Sequence, residues 1–282
     1  MDKIKENSYI NTKDFLVTGE EFSLVLNQEY GFLETRPQPE RKDIAKYYQS
    51  EEYISHTDSK KGAIAFLYQK VRSYSLVQKV KLISKLNSGK GTLLDIGAGT
   101  GEFLRVAQKK GWIVSGVEPN EGAREFAQDK NIPLDESIAV PEGKTFDVVT
   151  LWHVLEHMPD LQNTIHKTQQ LVKEGGTLII AVPNFNSFDA KYYKNYWAAF
   201  DVPRHLWHFS RDAMSKIFSS ELELVKTKPM IFDSFYVSLL SEKYRSGNSF
   251  SIKAFFIGLL SNLKAWKNKE YSSLIYCYKK TK

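Results

Sequence analysis

The 282-residue chain is poor in cysteine and has no long apolar run. Its single cysteine, Cys277, excludes an intrachain disulfide and any zinc site made of several thiolates. No apolar stretch reaches the length of a membrane-spanning helix. The first residues, 1–6, lack the apolar core of a signal peptide, so we expect a cytoplasmic protein.

The charge balance is moderately basic. Thirty-nine Lys and Arg residues against 33 Asp and Glu give a net charge of +6. A surplus of this size favours anionic partners only weakly, and the chain has no compact basic block with interleaved aromatic residues. A nucleic-acid partner is therefore disfavoured. The length and the 42% hydrophobic content are ordinary for one principal globular domain.

Apolar runs and helical patterns alternate through the middle of the chain. Residues 93–96, 112–118, 146–151 and 177–182 have the composition of buried strands, with amphipathic stretches between them. This alternation predicts an α/β fold with a mainly parallel sheet and helices on both faces.

The first of these strands ends in an acid and three alternating glycines: Asp95, Gly97, Gly99 and Gly101. Glycines between a strand and a helix let the backbone take positive φ and approach a ligand closely. A dinucleotide fingerprint would place its third glycine where Glu102 stands, which weakens a pyrophosphate interpretation.

Further motifs follow in order: Gly-Val-Glu-Pro at 116–119, Leu-Trp-His-Val-Leu-Glu-His at 151–157 and Lys-Glu-Gly-Gly-Thr-Leu-Ile-Ile at 173–180. With the glycine loop, they resemble the class I S-adenosylmethionine (SAM) dependent methyltransferases of bacterial small-molecule type. The resemblance implies a Rossmann-like, mainly parallel seven-stranded sheet with an antiparallel C-terminal edge. It also implies SAM as the cofactor.

The resemblance assigns parts of SAM to particular residues. Backbone N–H groups of Gly97, Gly99 and Gly101 would lie near the methionine carboxylate. Asp95 would serve the ammonium group, and Glu118 would accept hydrogen bonds from both ribose hydroxyls.

Trp152 and His153 follow the fourth strand, at the edge of the sheet where ligands bind in open α/β folds. Trp152 would cover the sulfonium or stack by the adenosine, with core packing as the alternative. His153 would act as a base toward an oxygen acceptor. The adenine contact is left open between Asp135 and Glu136.

A second dense group of polar residues occupies 201–210, after an aromatic run. In the resembling family this region forms a lid over the acceptor pocket. Arg204 would bind an anionic group of the acceptor and His205 would remove a proton. His157 is expected to hold its turn, and His208 either to satisfy buried backbone or to join the site. Candidates for closing the opposite side are Tyr47, Tyr48, Tyr53 and His56.

These features divide the chain into an N-terminal appendage (1–42), a helical cap (43–88) and a SAM-binding core (89–282). Within the core we expect a lid at about 185–212 and a helical insertion at about 232–268.

Related methyltransferases often carry a C-x-x-C-G-F metal knuckle in the N-terminal segment. Here Asn27 and Tyr30 stand in place of the thiolates, so no metal is predicted. The insertion contains an apolar stripe that predicts packing against the sheet or a second subunit in a homodimer, with membrane-surface docking as the alternative. Its members are Ile252, Phe256, Leu259, Leu263 and Trp266.

The preferred function is methyl transfer from SAM to an oxygen or nitrogen of a small-molecule, glycan or lipid-precursor acceptor. One alternative is a nucleic-acid or protein methyltransferase. The charge alone favours it, and the N/D-P-P-Y/F motif common in amino-methylating nucleic-acid enzymes is absent. The other alternative is a non-catalytic SAM-binding or membrane-surface module.

Overall fold

The protein is represented by a computed structural model that describes residues 8–40, 42–48, 63–138, 143–218, 220–248 and 251–281. The strands in these ranges are β1 (Ile10–Lys13), β2 (Glu21–Leu26), β3 (Leu33–Arg36), β4 (Thr92–Ile96), β5 (Ile113–Val117), β6 (Phe146–Trp152), β7 (Val172–Pro183), β8 (Trp207–His208), β9 (Leu222–Pro229) and β10 (Ser273–Lys280).

The α-helices of the same ranges are α1 (Ala63–Leu86), α2 (Glu102–Lys109), α3 (Glu121–Gln128), α4 (Leu161–Leu171), α5 (Phe188–Tyr193), α6 (Arg211–Lys216), α7 (Asp233–Ser246) and α8 (Ile252–Asn268). Short 3-10 turns occupy Ile44–Tyr48, Leu155–His157, Lys194–Tyr196 and Ala198–Phe200.

The larger sheet has the order β5-β4-β6-β7-β10-β9. β5, β4, β6 and β7 are parallel, and β10 runs antiparallel to both of its neighbours. Six strands are described, and a single parallel bridge between Val117 and Asp135 lies beyond β5, where a seventh strand would stand. The predicted α/β fold with an antiparallel C-terminal edge is confirmed.

The central strands are mostly apolar because helices cover both faces of the sheet. Leu93, Val148 and Ile179 are fully buried on one face, and Val149 and Ile180 on the other. The carboxyl ends of β4, β6 and β7 therefore form one rigid edge, from which the site residues project.

Most of the helices on this edge begin at a side chain that accepts a backbone N–H three residues ahead, as N-caps do. Asp160 caps α4 and Ser210 caps α6. α4 ends at Leu171, and Gly175 and Gly176 lie inside β7.

A smaller sheet joins the N-terminal segment to the predicted lid. Its order is β1-β2-β3-β8, so three N-terminal strands pair with a two-residue strand from the predicted lid. Thr35 reinforces the junction, since its N–H donates to Leu206 O at 3.0 Å and its hydroxyl to His205 O at 2.7 Å. The N-terminal segment and the lid are thus two parts of one structure.

In the N-terminal segment, the turn after β2 is held by an amide. Asn27 Oδ1 accepts the backbone N–H groups of Glu29 and Tyr30 at 3.1 and 3.0 Å. A side-chain oxygen thus organises the turn where related sequences carry a thiolate.

α8 packs against α7 through small residues. A Cβ on Gly258 would lie 2.9 Å from Ser234 O, so the two backbones approach closely. The predicted apolar stripe faces the other way, and Trp266 is 73% exposed. The expectation that this stripe packs against the sheet was wrong, because small residues form the buried face of the helix. Among the described helices, none combines the length and the apolar character needed to cross a membrane.

Candidate active site

The glycine loop turns sharply at the end of β4. Gly97, Gly99 and Gly101 all have positive φ, at 70°, 53° and 71°. A Cβ on Gly97 would lie 2.4 Å from a methyl carbon of Val154, so no larger residue fits without displacing that side chain. The Gly97 N–H donates to Val117 O at 2.8 Å, which ties the loop to β5. Glycine is therefore required at this turn for two reasons, its backbone conformation and the closeness of Val154.

Glu118, directly after β5, closes the loop from the other side. Its carboxylate accepts the Gly99 N–H and the Asn120 N–H, each at 2.9 Å. The Glu118 N–H in turn donates to Asp135 O at 2.9 Å. The acid predicted to bind ribose and the segment predicted to contact adenine are therefore neighbours in space.

Asp95 is buried beneath the glycine loop. The Thr150 hydroxyl donates to its Oδ1 at 2.6 Å. Burial raises the pKa of Asp95 although Thr150 and Lys79 act in the opposite direction. Burial likewise lowers the pKa of Lys79, against the attraction of Asp95 and Asp233. Lys79 of α1 is thus a charged neighbour of Asp95, the acid of the glycine loop.

Trp152 lies between Lys79 and α2. Lys79 Nζ is 4.1 Å from the centroid of the indole ring, and Phe103 meets the ring edge to face at 5.5 Å. The indole N–H is buried and has no hydrogen-bond partner among the residues that the structure describes. A protein cation therefore covers the aromatic face that the sequence assigns to the sulfonium, and contact with SAM stays a prediction. Sequence reasoning missed Lys79, because it belongs to no motif.

His153 has a left-handed backbone, with φ at 58°, just past the end of β6. Its Nδ1 lies 3.3 Å from Glu156 Oε1, and its Nε2 lies 3.3 Å from Asp233 Oδ2. Burial disfavours a charged ring, but the two carboxylates prevail and raise the pKa of His153 to about 9. Near neutral pH the ring is an imidazolium ion, which cannot accept a proton.

Arg204 is enclosed by polar partners. Its side chain is 1% exposed. The guanidinium donates to Asp201 at 2.8 Å, to Asp14 at 2.9 Å and to Tyr47 O at 2.8 Å. Burial opposes the charge, and the two carboxylates nevertheless raise the pKa of Arg204. In this arrangement the guanidinium binds the lid to the N-terminal segment and is turned away from solvent. Asp14 is a partner that the sequence did not indicate.

Three histidines cluster where the lid meets the turn after β6. His205 Nδ1 lies 2.9 Å from Ala199 O, and His157 Nδ1 lies 3.0 Å from Arg204 O. Because a carbonyl oxygen can only accept, both Nδ1 atoms carry the proton and both Nε2 atoms hold a lone pair. Burial and the neighbouring His205 lower the pKa of His157 to about 4. His208 differs, since its Nε2 is 2.9 Å from the Thr35 hydroxyl.

His205 also lines a small pocket at the carboxyl end of β7, with Pro183, Phe185 and Trp207 among its neighbours. From the N-terminal segment, the Tyr48 hydroxyl comes within 3.3 Å of His157 Nδ1. Two further candidates for closing this side, Tyr53 and His56, lie outside the described residues.

Known proteins match both the sequence and the fold. A family model described as a methyltransferase domain matches residues 68–221. The ubiquinone biosynthesis O-methyltransferase of Saccharophagus degradans is 34% identical over 104 residues, which is 33% of this chain and 44% of that protein. That of Coxiella burnetii is 32% identical over 129 residues, 42% of this chain and 55% of that protein. The chain spans about half the length of the curated relatives it matches.

Solved structures agree on the fold. The plantazolicin methyltransferase BpumL in complex with SAH superposes with a TM-score of 0.52 and 13% identity, covering 85% of this chain and 94% of the other. A possible histamine N-methyltransferase from Thermotoga maritima gives a TM-score of 0.51 and 17% identity, covering 77% and 96%. The family model covers more than half of the chain, and the ordered motifs coincide with the strand ends described above. The chain belongs to the methyltransferase domain family, the class I SAM-dependent methyltransferases that its motifs resemble.

Proposed function

We propose that this chain binds SAM on the glycine loop and transfers its methyl group to an oxygen or nitrogen atom of a small acceptor. One observation carries the binding half of the proposal. The Gly99 N–H and the Asn120 N–H both donate to Glu118 at 2.9 Å. A carboxylate and the backbone of the glycine loop therefore meet at the carboxyl ends of two parallel strands. A nucleoside with an attached amino acid needs such groups.

The residues present fit SAM on steric grounds. The glycines of the loop have no side chains, so the backbone can approach a ligand closely. No atom of the described residues lies within 4 Å of a Cβ placed on Gly99. Asp95 lies below the loop and offers a carboxylate to an ammonium group. SAM supplies a methyl group bound to a positive sulfur, which makes the carbon electrophilic. The protein then has to position an acceptor in line with that carbon.

Among the three predicted catalytic residues, His205 is the one whose geometry suits proton removal. Its Nδ1 donates to Ala199 O, which leaves Nε2 free to accept a proton, and the ring lines the pocket by Pro183. His153 is held as an imidazolium ion between Glu156 and Asp233, so both of its ring nitrogens carry protons and it has no lone pair to accept another. Arg204 has all of its bonds inside the protein, so we assign it to positioning the lid that carries His205.

The lining of the pocket and the names of the relatives both favour a small acceptor. Aromatic side chains around His205 favour a compact acceptor with an apolar part, which a small-molecule ring or a lipid precursor would supply. The O-methyltransferases of Saccharophagus and Coxiella act, by their names, in ubiquinone biosynthesis. We extend to this chain the acceptor class and no particular compound. The cytoplasmic location and a homodimer stay predictions.

Binding and transfer are tested separately. Isothermal titration with SAM should show one site, and NAD should not compete. Incubation with methyl-labelled SAM and a panel of phenols, sugars, amines and quinol precursors should label one chemical class. His205→Gln should bind SAM normally and lose turnover. Failure to bind SAM, or equal turnover in His205→Gln, would contradict the corresponding half of the proposal.

A further inference from the structure

A carboxylate and two imidazoles converge behind the lid. Glu156, His157 and His205 each place one potential ligand atom within 4.8 Å of the other two. Glu156 and His157 come from the turn after β6, and His205 from the lid, 48 positions or more along the chain. Their convergence depends on the tertiary fold, and the N-terminal metal knuckle of related enzymes contributes nothing to it.

Among the described residues, one oxygen atom of Glu156 has no partner. Its Oε1 interacts with His153 at 3.3 Å, but its Oε2 is buried and makes no hydrogen bond. The residue is 1% exposed. A buried carboxylate oxygen without a hydrogen-bond partner is costly, so a cation beside it would be stabilising.

Backbone carbonyl groups hold the two histidine rings in the orientation that is typical of metal ligands. In each, Nδ1 donates to a backbone carbonyl, Ala199 O for His205 and Arg204 O for His157, which leaves the Nε2 lone pair available. This pairing with carbonyls is the arrangement that orients metal-binding histidines in proteins. The rings meet edge to face with centroids 4.6 Å apart.

We propose that Glu156, His157 and His205 bind one divalent transition-metal ion of the Zn²⁺ class. Two imidazole nitrogens and one carboxylate oxygen suit such an ion better than Mg²⁺ or Ca²⁺, which prefer oxygen ligands. Around a tetrahedral ion, ligand atoms about 2.0–2.2 Å from the metal lie about 3.3–3.6 Å apart. The three ligand atoms, which lie within 4.8 Å of one another, would therefore move closer by at most about 1.5 Å when the ion binds. Three protein ligands leave a coordination position open to a further oxygen.

Metal binding itself does not depend on the proposed methyl transfer. Its consequence for chemistry rests on that function. With the ion in place, His205 is a ligand, and an acceptor hydroxyl bound to the open position would lose its proton because the cation lowers its pKa. The proton would pass to solvent, and the acceptor oxygen would keep the electron pair that attacks the methyl carbon. The O–C bond would form as the C–S bond breaks, and the electron pair of the C–S bond would go to sulfur, so that S-adenosylhomocysteine leaves.

The test uses the full chain after treatment with a chelator. Titration with ZnCl₂ should show one equivalent bound, and CoCl₂ should give visible d–d bands without a thiolate charge-transfer band, since Cys277 is buried elsewhere. Glu156→Gln and His157→Gln should each weaken Zn²⁺ binding by about 100-fold or more. Loss of a residue that only orients a metal ligand typically weakens binding by about 10- to 100-fold. His166→Gln, on the exposed face of α4, and His208→Gln, buried but outside the cluster, are matched controls and should bind Zn²⁺ normally.

Circular dichroism establishes that each variant is folded. The cobalt spectrum of the unaltered chain tests the site even if a variant does not fold. The proposal is overturned by the absence of stoichiometric uptake, by a thiolate band, or by equal affinity in Glu156→Gln and His157→Gln. SAM binding is measured on the same samples. Normal SAM affinity without metal uptake would reject the metal site alone, whereas metal uptake without SAM binding would reject the proposed function and leave the site intact.

Discussion

The glycine loop and the lid are organised in opposite ways. Between residues 95 and 120 the loop is assembled from neighbours in sequence, mostly through backbone groups, and its acid Glu118 bonds to N–H donors within the same stretch. The lid depends on partners far away. Arg204 bonds to Asp14, 190 positions earlier, and Thr35 bonds to the carbonyl of His205, 170 positions away. A local site is visible as a motif, whereas a long-range site becomes visible only after folding.

The two regions also tolerate change differently. In the loop, a substitution strains the backbone or meets a close neighbour. In the lid, it leaves a buried charge without a partner, which is more costly. Substitutions on each side therefore measure the difference directly.

The largest effect is expected for Arg204→Met. The variant keeps the apolar stem and leaves the carboxylates of Asp14 and Asp201 unpaired, so the free energy of unfolding should fall by about 3–5 kcal/mol. The control is Arg211→Met, which breaks a longer, partly exposed pair with Glu270 and should cost less than about 1 kcal/mol. Chemical denaturation measures both. Similar losses in the two variants would mean that burial does not make an ion pair more costly to break in this protein.

A somewhat smaller effect is expected for Gly97→Ala in the glycine loop. Its Cβ would lie 2.4 Å from Val154 in a backbone with positive φ, so unfolding should become easier by about 2–4 kcal/mol and SAM affinity should drop. Gly99→Ala shares the positive φ but has open space, and should cost about 1–2 kcal/mol. Denaturation and isothermal titration measure the pair. Equal costs would show that Val154 moves aside freely.

Glu118→Ala should act on binding more than on stability. Loss of the ribose acceptor should weaken SAM and its demethylated product by roughly 1.5–3 kcal/mol. Glu121→Ala, three residues on and exposed at the start of α3, serves as the control and should leave the affinity unchanged. Isothermal titration decides the matter, and unchanged binding in Glu118→Ala would remove this acid from the cofactor site.

The smallest effect is a pH dependence at His153, which lies between the turn after β6 and α7. The Asp233 and Glu156 carboxylates raise its pKa to about 9, above an ordinary value of 6.5. The resulting stabilisation is complete below about pH 6.5 and is lost as the pH rises through 9. Because about a third of the side chain is exposed, at 32%, screening reduces the gain to about 1–2 kcal/mol.

His153→Asn should therefore flatten the melting temperature between pH 6.5 and 9. His166→Asn, an exposed histidine on α4, should keep the slope of the parent protein. Calorimetric melting across this pH range measures all three proteins. A parent protein whose stability does not change there would contradict the ion pairs around His153.

Sequence reasoning located the glycine loop, Glu118 and the four central strands because each is encoded in contiguous residues. The partners of Arg204 could not be predicted, since no periodicity relates position 14 to position 204. Lys79 was missed for the same reason. Its place over Trp152 depends on how α1 lies across the sheet, which a single sequence does not reveal.

The pairing of β3 with β8 has a consequence for how the protein is made. The N-terminal strands leave the ribosome long before Trp207 and His208 have been synthesised, so their sheet cannot be completed during most of translation. The parallel sheet has the same difficulty in milder form, because β7 pairs with both β6 and the last strand, β10. A nascent chain of this protein must therefore keep an unfinished sheet edge and its apolar face from aggregating until the lid emerges. Cutting the chain after the N-terminal strands would separate one sheet into two incomplete parts, so that segment is a poor choice for a removable module.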